Sequence, residues 1–333
     1  MKPERLEEIL QRASTKRLVV IGDLMLDEFV WGKVGRISPE APVPVVEVSG
    51  ESFYPGGAAN VARNLREFTD RVGIVGMIGR DRNGDRLQEL LARDKIDTTR
   101  CPISSEWPTI VKTRIIARQQ QVVRVDREKI VTPTAEQIVG VVKGIKETVS
   151  EIDGIIFEDY GKGFLAGELV AEIVSLARAN RKIVAADPNQ RHNISWNGVS
   201  VVKPNRIEAF HAAAIPWEEP ADSVGEDHAL HKVGSILMEK WGTDLLLITL
   251  GEQGMMLFQR GKAPHHVPTK ARQIFDVSGA GDTAIALFTL ALCGGATPLE
   301  AADIANHGSA VVVGKLGTAT VTPEELRQSF ANG

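Results

Sequence analysis

Two aspartates, Asp276 and Asp282, bracket the turn Val277-Ser278-Gly279-Ala280-Gly281, and an apolar segment rich in Ala and Leu follows at 284–292. The composition after Asp282 predicts a helix that begins at the turn. Gly279, Ala280 and Gly281 then present unpaired backbone N–H groups at the positive end of the helix dipole. Such a terminus binds anions. A carboxylate in the first turn can take a proton from a hydroxyl, while the N–H groups stabilise charge on a phosphoryl group in transfer. Asp282 is therefore expected to be the general base and Gly279, Ala280 and Gly281 the anion hole. Asp276, before the glycines, is expected to order the loop or the water shell of a metal. A helix cap with no chemistry explains the same stretch, so the rest of the chain must decide.

The elements that would position this turn read as alternating strands and helices. Residues 18–22 form a β-branched run ending in Gly-Asp, the pattern of a buried strand that delivers Asp23, with Asp27 four residues on, to the carboxyl edge of a sheet. Either acid can bond sugar hydroxyls there or cap the next turn. Residues 31–48 hold three prolines among β-branched residues, which predicts an edge or flap and not a central strand. Arg36 lies within it. Gly56 and Gly57 open a small-residue helix that puts Asn60 in its first turn, where its amide can donate and accept. Two alternating stretches, 109–116 and 121–126, predict an antiparallel hairpin that completes the flap and carries Lys112, Arg114, Arg118 and Arg124.

From Thr132 onward the alternation becomes regular and predicts a largely parallel sheet. Its strands end in Glu158-Asp159-Tyr160-Gly161-Lys162, Asp187-Pro188-Asn189 and Lys203-Pro204-Asn205-Arg206-Ile207-Glu208. Asn205 and Glu208 share a helix face. They can order a hydrated Mg²⁺ near phosphates or form a capping box, and the two roles are compatible. Gly251 and Gly254 mark a turn between strands at which a nucleotide can lie, although a plain hairpin gives the same signal. His265-His266 falls in a turn-like segment and is assigned no role.

Composition narrows the classes. The 333 residues carry a net charge of −4 and no long basic run, so nucleic acid is not an expected partner. The two cysteines, Cys101 and Cys293, have no metal-ligand spacing, which suits a reducing compartment. No run of about 18 apolar residues occurs, so no membrane association is expected and a cytoplasmic location is. The P-loop and the common dinucleotide fingerprint are both absent.

With these residues in hand, the chain resembles the ribokinase/PfkB carbohydrate kinases over nearly its whole length. The resemblance rests on Gly56-Gly57-Ala58-Ala59-Asn60 and Asp276-Val-Ser-Gly-Ala-Gly-Asp282-Thr, in that order. Within the family it is most similar to the bacterial D-glycero-β-D-manno-heptose 7-phosphate kinases. The matching segments are 36–46, 118–126, 159–163 and 311–318. The resemblance implies an α/β, ribokinase-like fold: a mostly parallel central sheet flanked by helices, with a small β lid from about 29–48 and 109–126. It implies a single kinase domain over 1–333 without a cytidylyltransferase-like domain, and transfer of phosphate from ATP, with Mg²⁺, to the 1-hydroxyl of the heptose. Asp23, Asp27, Gly56, Gly57 and Asn60 are implied as sugar contacts. Asn205, Glu208, Thr249, Gly251, Gly254 and Asn306 are implied around nucleotide and metal. Arg36, Lys112, Arg114, Arg118 and Lys162 are the candidates for the substrate's existing phosphate. A homodimer joined through the lid is expected, since edge strands need cover. A kinase of another sugar, and a non-catalytic sugar-phosphate sensor, remain alternatives.

Overall fold

The computed structural model describes residues 1–118, 120–221, 223–271 and 275–332. Its main sheet has eight strands, in the order His265–Val267, Met255–Gln259, Leu245–Thr249, Val201–Val202, Ile183–Asp187, Gly154–Glu158, Arg17–Gly22 and Arg71–Val75. From Leu245–Thr249 to Arg71–Val75 every pairing is parallel, and the two strands at the other edge are antiparallel. Parallel strands bury both faces, which is why these segments read as unbroken apolar runs.

Successive side chains enter opposite cores. Leu18, Val20, Ile156, Ala185 and Leu247 join one cluster with the helices Ala58–Arg66, Ala280–Cys293 and Pro298–Val312. Val19, Ile21, Ile155, Phe157, Val184 and Ile248 join the other, beneath the helices Ala135–Thr148, Gly167–Ala179 and His228–Lys240. The helix Ala280–Cys293 is buried from Asp282 to Ala291. A helix apolar on all sides must be central, and this fixes the position of its N-terminus. Because the strands are parallel, Asp23, Glu158, Asp187 and Lys203 all emerge at one edge of the sheet, the edge that holds ligands in open α/β folds.

A second, four-stranded sheet has the order Pro44–Gly57, Leu24–Ile37, Ile110–Ala117 and Gln120–Arg127. Leu24–Ile37 follows Arg17–Gly22 with only Asp23 between, pairs antiparallel with Pro44–Gly57, and pairs parallel with Ile110–Ala117. Its strands run past the expected bounds, since Leu24–Ile37 and Pro44–Gly57 are 14 residues each. Pro44 opens a strand, and Pro55 sits in the same strand at the sheet's edge, where a missing N–H is tolerated.

One segment departs from the sequence reading. His265–Val267 is a strand, not a turn, and pairs with Met255–Leu257. The His266 ring donates from Nε2 to the Gln253 carbonyl at 2.7 Å.

Candidate active site

The turn before helix Ala280–Cys293 requires glycine. Gly279 is left-handed, with φ of 81°, and a Cβ there would lie 2.8 Å from Asn60 Nδ2. That close approach brings helix Ala58–Arg66 against the first turn. Asn60, wholly buried, donates from Nδ2 to Asp282 Oδ2 at 2.7 Å. The phenol of Tyr160 donates to the other oxygen, Oδ1, at 2.8 Å. Asp282 itself is only 6% exposed. Burial raises its pKa, and the bonds from Asn60 and Tyr160, then the charge of Lys203, oppose the rise.

Next to Asp282 lies a polar cluster that the sequence placed at strand ends without giving it a role. Lys203 Nζ is 2.7 Å from Asp187 Oδ2. Burial pushes the Asp187 carboxyl up to about 7 against the pull of Lys203. Burial lowers the Lys203 pKa, but Asp187 first, then Glu158 and Glu208, outweigh it and raise it. Glu158 is 2% exposed and its Oε2 has no partner. Burial and the Asp187 charge raise its pKa well above the ordinary carboxylate range. An unpartnered buried carboxylate oxygen among acids suits a hard cation with oxygen ligands. Among the described residues, no three acidic, histidine or cysteine side chains converge closely enough to hold a bare ion. The donor set therefore fits a cation that keeps water and phosphate oxygens in its shell.

Two cavities meet at the glycine turn. The mainly apolar one encloses about 180 Å³ and is lined by Thr249, Gly251, Gly254, Met255, Ala280 and Asn306 among others. The polar one, about 560 Å³, is lined by Glu158, Tyr160, Asp187, Lys203, Asn205, Glu208 and Asp282 among others. Thr249, Gly251, Val277 and Gly281 belong to both walls. The two cavities thus form one path from the apolar wall across Gly281 to Asp282. Asn306 donates from Nδ2 to the Pro268 carbonyl at 2.7 Å, which leaves its oxygen as the polar atom for the cavity. Asn205 and Glu208 do form a capping box: each side chain accepts from the other's backbone N–H, at 2.9 and 2.8 Å. Asp276 orders the loop, accepting from the N–H groups of Ser278 at 2.9 Å and Gly317 at 3.1 Å.

On the other side of Asp282, Gly56 and Gly57 pair with Met25 and Leu24 where the lid strand ends. Asp27 is 3% exposed and ion-paired to Arg114, whose guanidinium also stacks over Phe29. Lys162 pairs with Glu128 at 2.7 Å and Arg124 with Asp126 at 2.8 Å. Lys112 has no carboxylate partner among the described residues and lies with Nζ 5.4 Å from the centre of the Tyr160 ring. Burial, then the charge of Lys162, lowers its pKa.

Two sequence expectations are corrected. Asp23 is not available to a sugar. It is 2% exposed, and its carboxylate accepts the backbone N–H groups of Tyr160, Lys162 and Phe164 at 3.0, 2.9 and 3.1 Å. The acid fastens the loop that carries Tyr160. Arg36 and Arg118 do not join Lys112, Arg114 and Lys162. Both are exposed toward the far end of the lid; Arg36 is nine positions beyond Asp27 on one strand, about 30 Å at ordinary strand rise.

Comparison with known proteins identifies the family and the fold. The profile "pfkB family carbohydrate kinase" matches residues 15–325. The chain is 39% identical over 331 residues to "Bifunctional protein HldE" of Pelobacter propionicus, covering 99% of this chain and 66% of that protein. It is 40% identical over 311 residues to the protein of the same name from Helicobacter pylori strain J99, covering 93% of this chain and 65% of that protein. The chain thus spans about two thirds of the length of these relatives. Among solved structures, phosphofructokinase-2 from Escherichia coli in complex with substrates and products superposes with a TM-score of 0.75 at 17% identity, covering 95% of this chain and 99% of that one. Arabidopsis thaliana ribokinase complexed with ribose and ATP gives 0.72 at 17% identity, with 95% and 98% covered. These structural likenesses show a ribokinase-like fold.

Proposed function

Since the chain belongs to the pfkB family of carbohydrate kinases, and is thus a phosphotransferase with an alcohol group as acceptor, we propose that its substrate is D-glycero-β-D-manno-heptose 7-phosphate. The γ-phosphoryl group of ATP is transferred to the anomeric 1-hydroxyl, giving the 1,7-bisphosphate for ADP-heptose and lipopolysaccharide core synthesis. The substrate assignment is carried by the 39% identity to bifunctional protein HldE across nearly the whole chain. The segments that resemble heptose 7-phosphate kinases, among them Asp159-Tyr160-Gly161-Lys162-Gly163, support it.

In this reading the sugar hydroxyl attacks the γ-phosphorus, the bond to the bridging oxygen of ADP breaks, and the hydroxyl proton passes to Asp282. The N–H groups of Gly279 and Gly281 hold the phosphoryl oxygens; that of Ala280, expected to be unpaired, bonds the Val277 carbonyl at 3.3 Å instead, and positioning does most of the work. Bound Mg²⁺ supplies neutralisation of phosphate charge. Asn205 and Glu208 would hold it through water, with Glu158 and Asp187 beside them, and Asp276 contributes only by ordering the loop. Thr249, Gly251, Gly254 and Asn306 line the nucleotide's place. Asp27, Gly56 and Gly57 face the sugar, and Asn60 serves it through Asp282. Lys112, Arg114 and Lys162 meet the 7-phosphate.

The partner in assembly is a second copy through the lid. The outer strand Gln120–Arg127 is exposed along its length, and Val122, Val123 and Val125 are 37%, 45% and 40% exposed. Use of ATP fits the cytoplasm, and among the described residues no helix is long and apolar enough to cross a membrane.

The test is turnover of a panel of sugars and sugar phosphates with ATP and Mg²⁺. Heptose 7-phosphate should be the best acceptor, and Asp282→Asn should lower kcat by about 100-fold or more with substrate binding near normal. Good turnover of another sugar and none of the heptose phosphate would overturn the substrate. Equal rates in Asp282→Asn and the parent would remove Asp282 as base.

A further inference from the structure

We infer that Tyr160 is a positioning residue for the reaction: its phenol holds Asp282 ionised and aimed, and its backbone is locked in place by Asp23. The inference rests on Asp282 acting as the base.

Four observations converge on it. The phenol donates to Asp282 Oδ1 at 2.8 Å, and the other oxygen is taken by Asn60. Tyr160 therefore fixes the rotation of the carboxylate as well as its charge. The backbone that carries the ring is tied down, since the Tyr160 N–H and those of Lys162 and Phe164 all point at the buried Asp23 carboxylate. The phenol keeps its proton: burial, and then the negative charge of Asp282, push its pKa well up, so it acts as donor and not as anion. Lys112, on the lid strand Ile110–Ala117, stands over the ring with Nζ 5.4 Å from its centre. A cation on a phenol's face withdraws charge from it and makes the O–H a better donor.

The sign follows from what surrounds the base. Burial and the Asp27 carboxylate favour the protonated form of Asp282; the donors Asn60 and Tyr160 and the charge of Lys203 favour the ionised form. The Tyr160 phenol itself also faces the acidic groups Glu158 and Asp187, with Lys112 on the ring. Removing one donor from a buried carboxylate raises its pKa. A base must be ionised to act, so the acid limb of the rate profile must move to higher pH.

The chain has two tyrosines, Tyr54 and Tyr160, which allows the phenol to be tuned in both directions. Tyr160→Phe should shift the acid limb of kcat/KM upward by about one pH unit and lower the rate about tenfold below that limb. The KM for ATP and the melting temperature should stay near those of the parent. In a Tyr54→Phe background, biosynthetic 3-fluorotyrosine enters only at 160; its more acidic phenol is a stronger donor and should move the limb downward. An unshifted limb in both proteins would overturn the inference. So would a uniform loss of rate at every pH in Tyr160→Phe, since that is damage to structure and not to ionisation. Asp282→Asn in the same assay separates the two claims: if it is active, the base assignment fails; if it is inactive while the limb stays fixed, only the role of Tyr160 fails.

Discussion

Asn60 Nδ2 lies 2.7 Å from Asp282 Oδ2, joining residues 222 apart in the chain across the interface of two helices. Asn60 donates one hydrogen bond to this carboxylate, and its own Oδ1 is buried without a partner. Asn60→Ala removes a charge-assisted bond, for which the general scale is about 1.5–3 kcal/mol. The expected result is a kcat lower by about 10- to 100-fold with the KM for ATP unchanged. Steady-state kinetics across sugar and ATP concentrations decide this, and an unaltered kcat would show that Tyr160 alone suffices to hold the base.

Asp23 gives a different expectation. Asp23→Asn turns one acceptor oxygen into an NH₂ group that faces backbone donors, so stability should fall by about 2 kcal/mol. A urea titration would show the midpoint moving down at constant slope. Activity should fall too, because the loop that holds Tyr160 loosens. A variant with a raised sugar KM and an unchanged midpoint would instead return Asp23 to the role of a sugar contact.

The N-terminal helix Pro3–Ala13 is tied to the helix Pro298–Val312 by Arg5 and Glu300, Nε to Oε1 at 2.9 Å. The Arg5 hydrogen bond, foremost, holds the Glu300 carboxyl down from 4.5 to about 2. A carboxylate whose folded pKa is depressed stabilises the fold above its unfolded value and loses that contribution as pH falls through the folded one. Glu300→Gln keeps a side chain able to complete the capping box with Thr297. Its melting temperature should lie below the parent's at pH 7, with the gap closing between pH 4.5 and about 2. Parallel calorimetry scans test it; a gap independent of pH would assign the loss to packing.

Much of the scaffold was legible because its signals are local. Runs such as Leu18-Val19-Val20-Ile21 are buried on both faces, so the apolar run and the parallel strand coincide. The helix after Asp282 was legible for the same reason: an all-apolar helix following glycines has one plausible place. The lid was harder to bound, since its long strands are half exposed and mix glycine and proline with polar residues. Asp23 misled because an acid after Gly at a strand end looks the same whether it faces a sugar or three amides. Tyr160 was visible as a strand-end residue, but its partner is 122 positions away, and no spacing rule announces such a pair. In sequence, Arg36 and Arg118 share with Lys112 only the sign of their charge and their place in the lid. Only the register of the lid strands separates them.

The strand Pro44–Gly57 leads without a break into the helix Ala58–Arg66 that bears Asn60, with Gly57 at φ of 60° as the single joint. The small sheet and the residue bonded to Asp282 are thus two ends of one lever. Exchanging this lid for that of a relative would therefore change reactivity as well as sugar preference, and a chimera joined before Gly57 would have to reseat Asn60 before it could work.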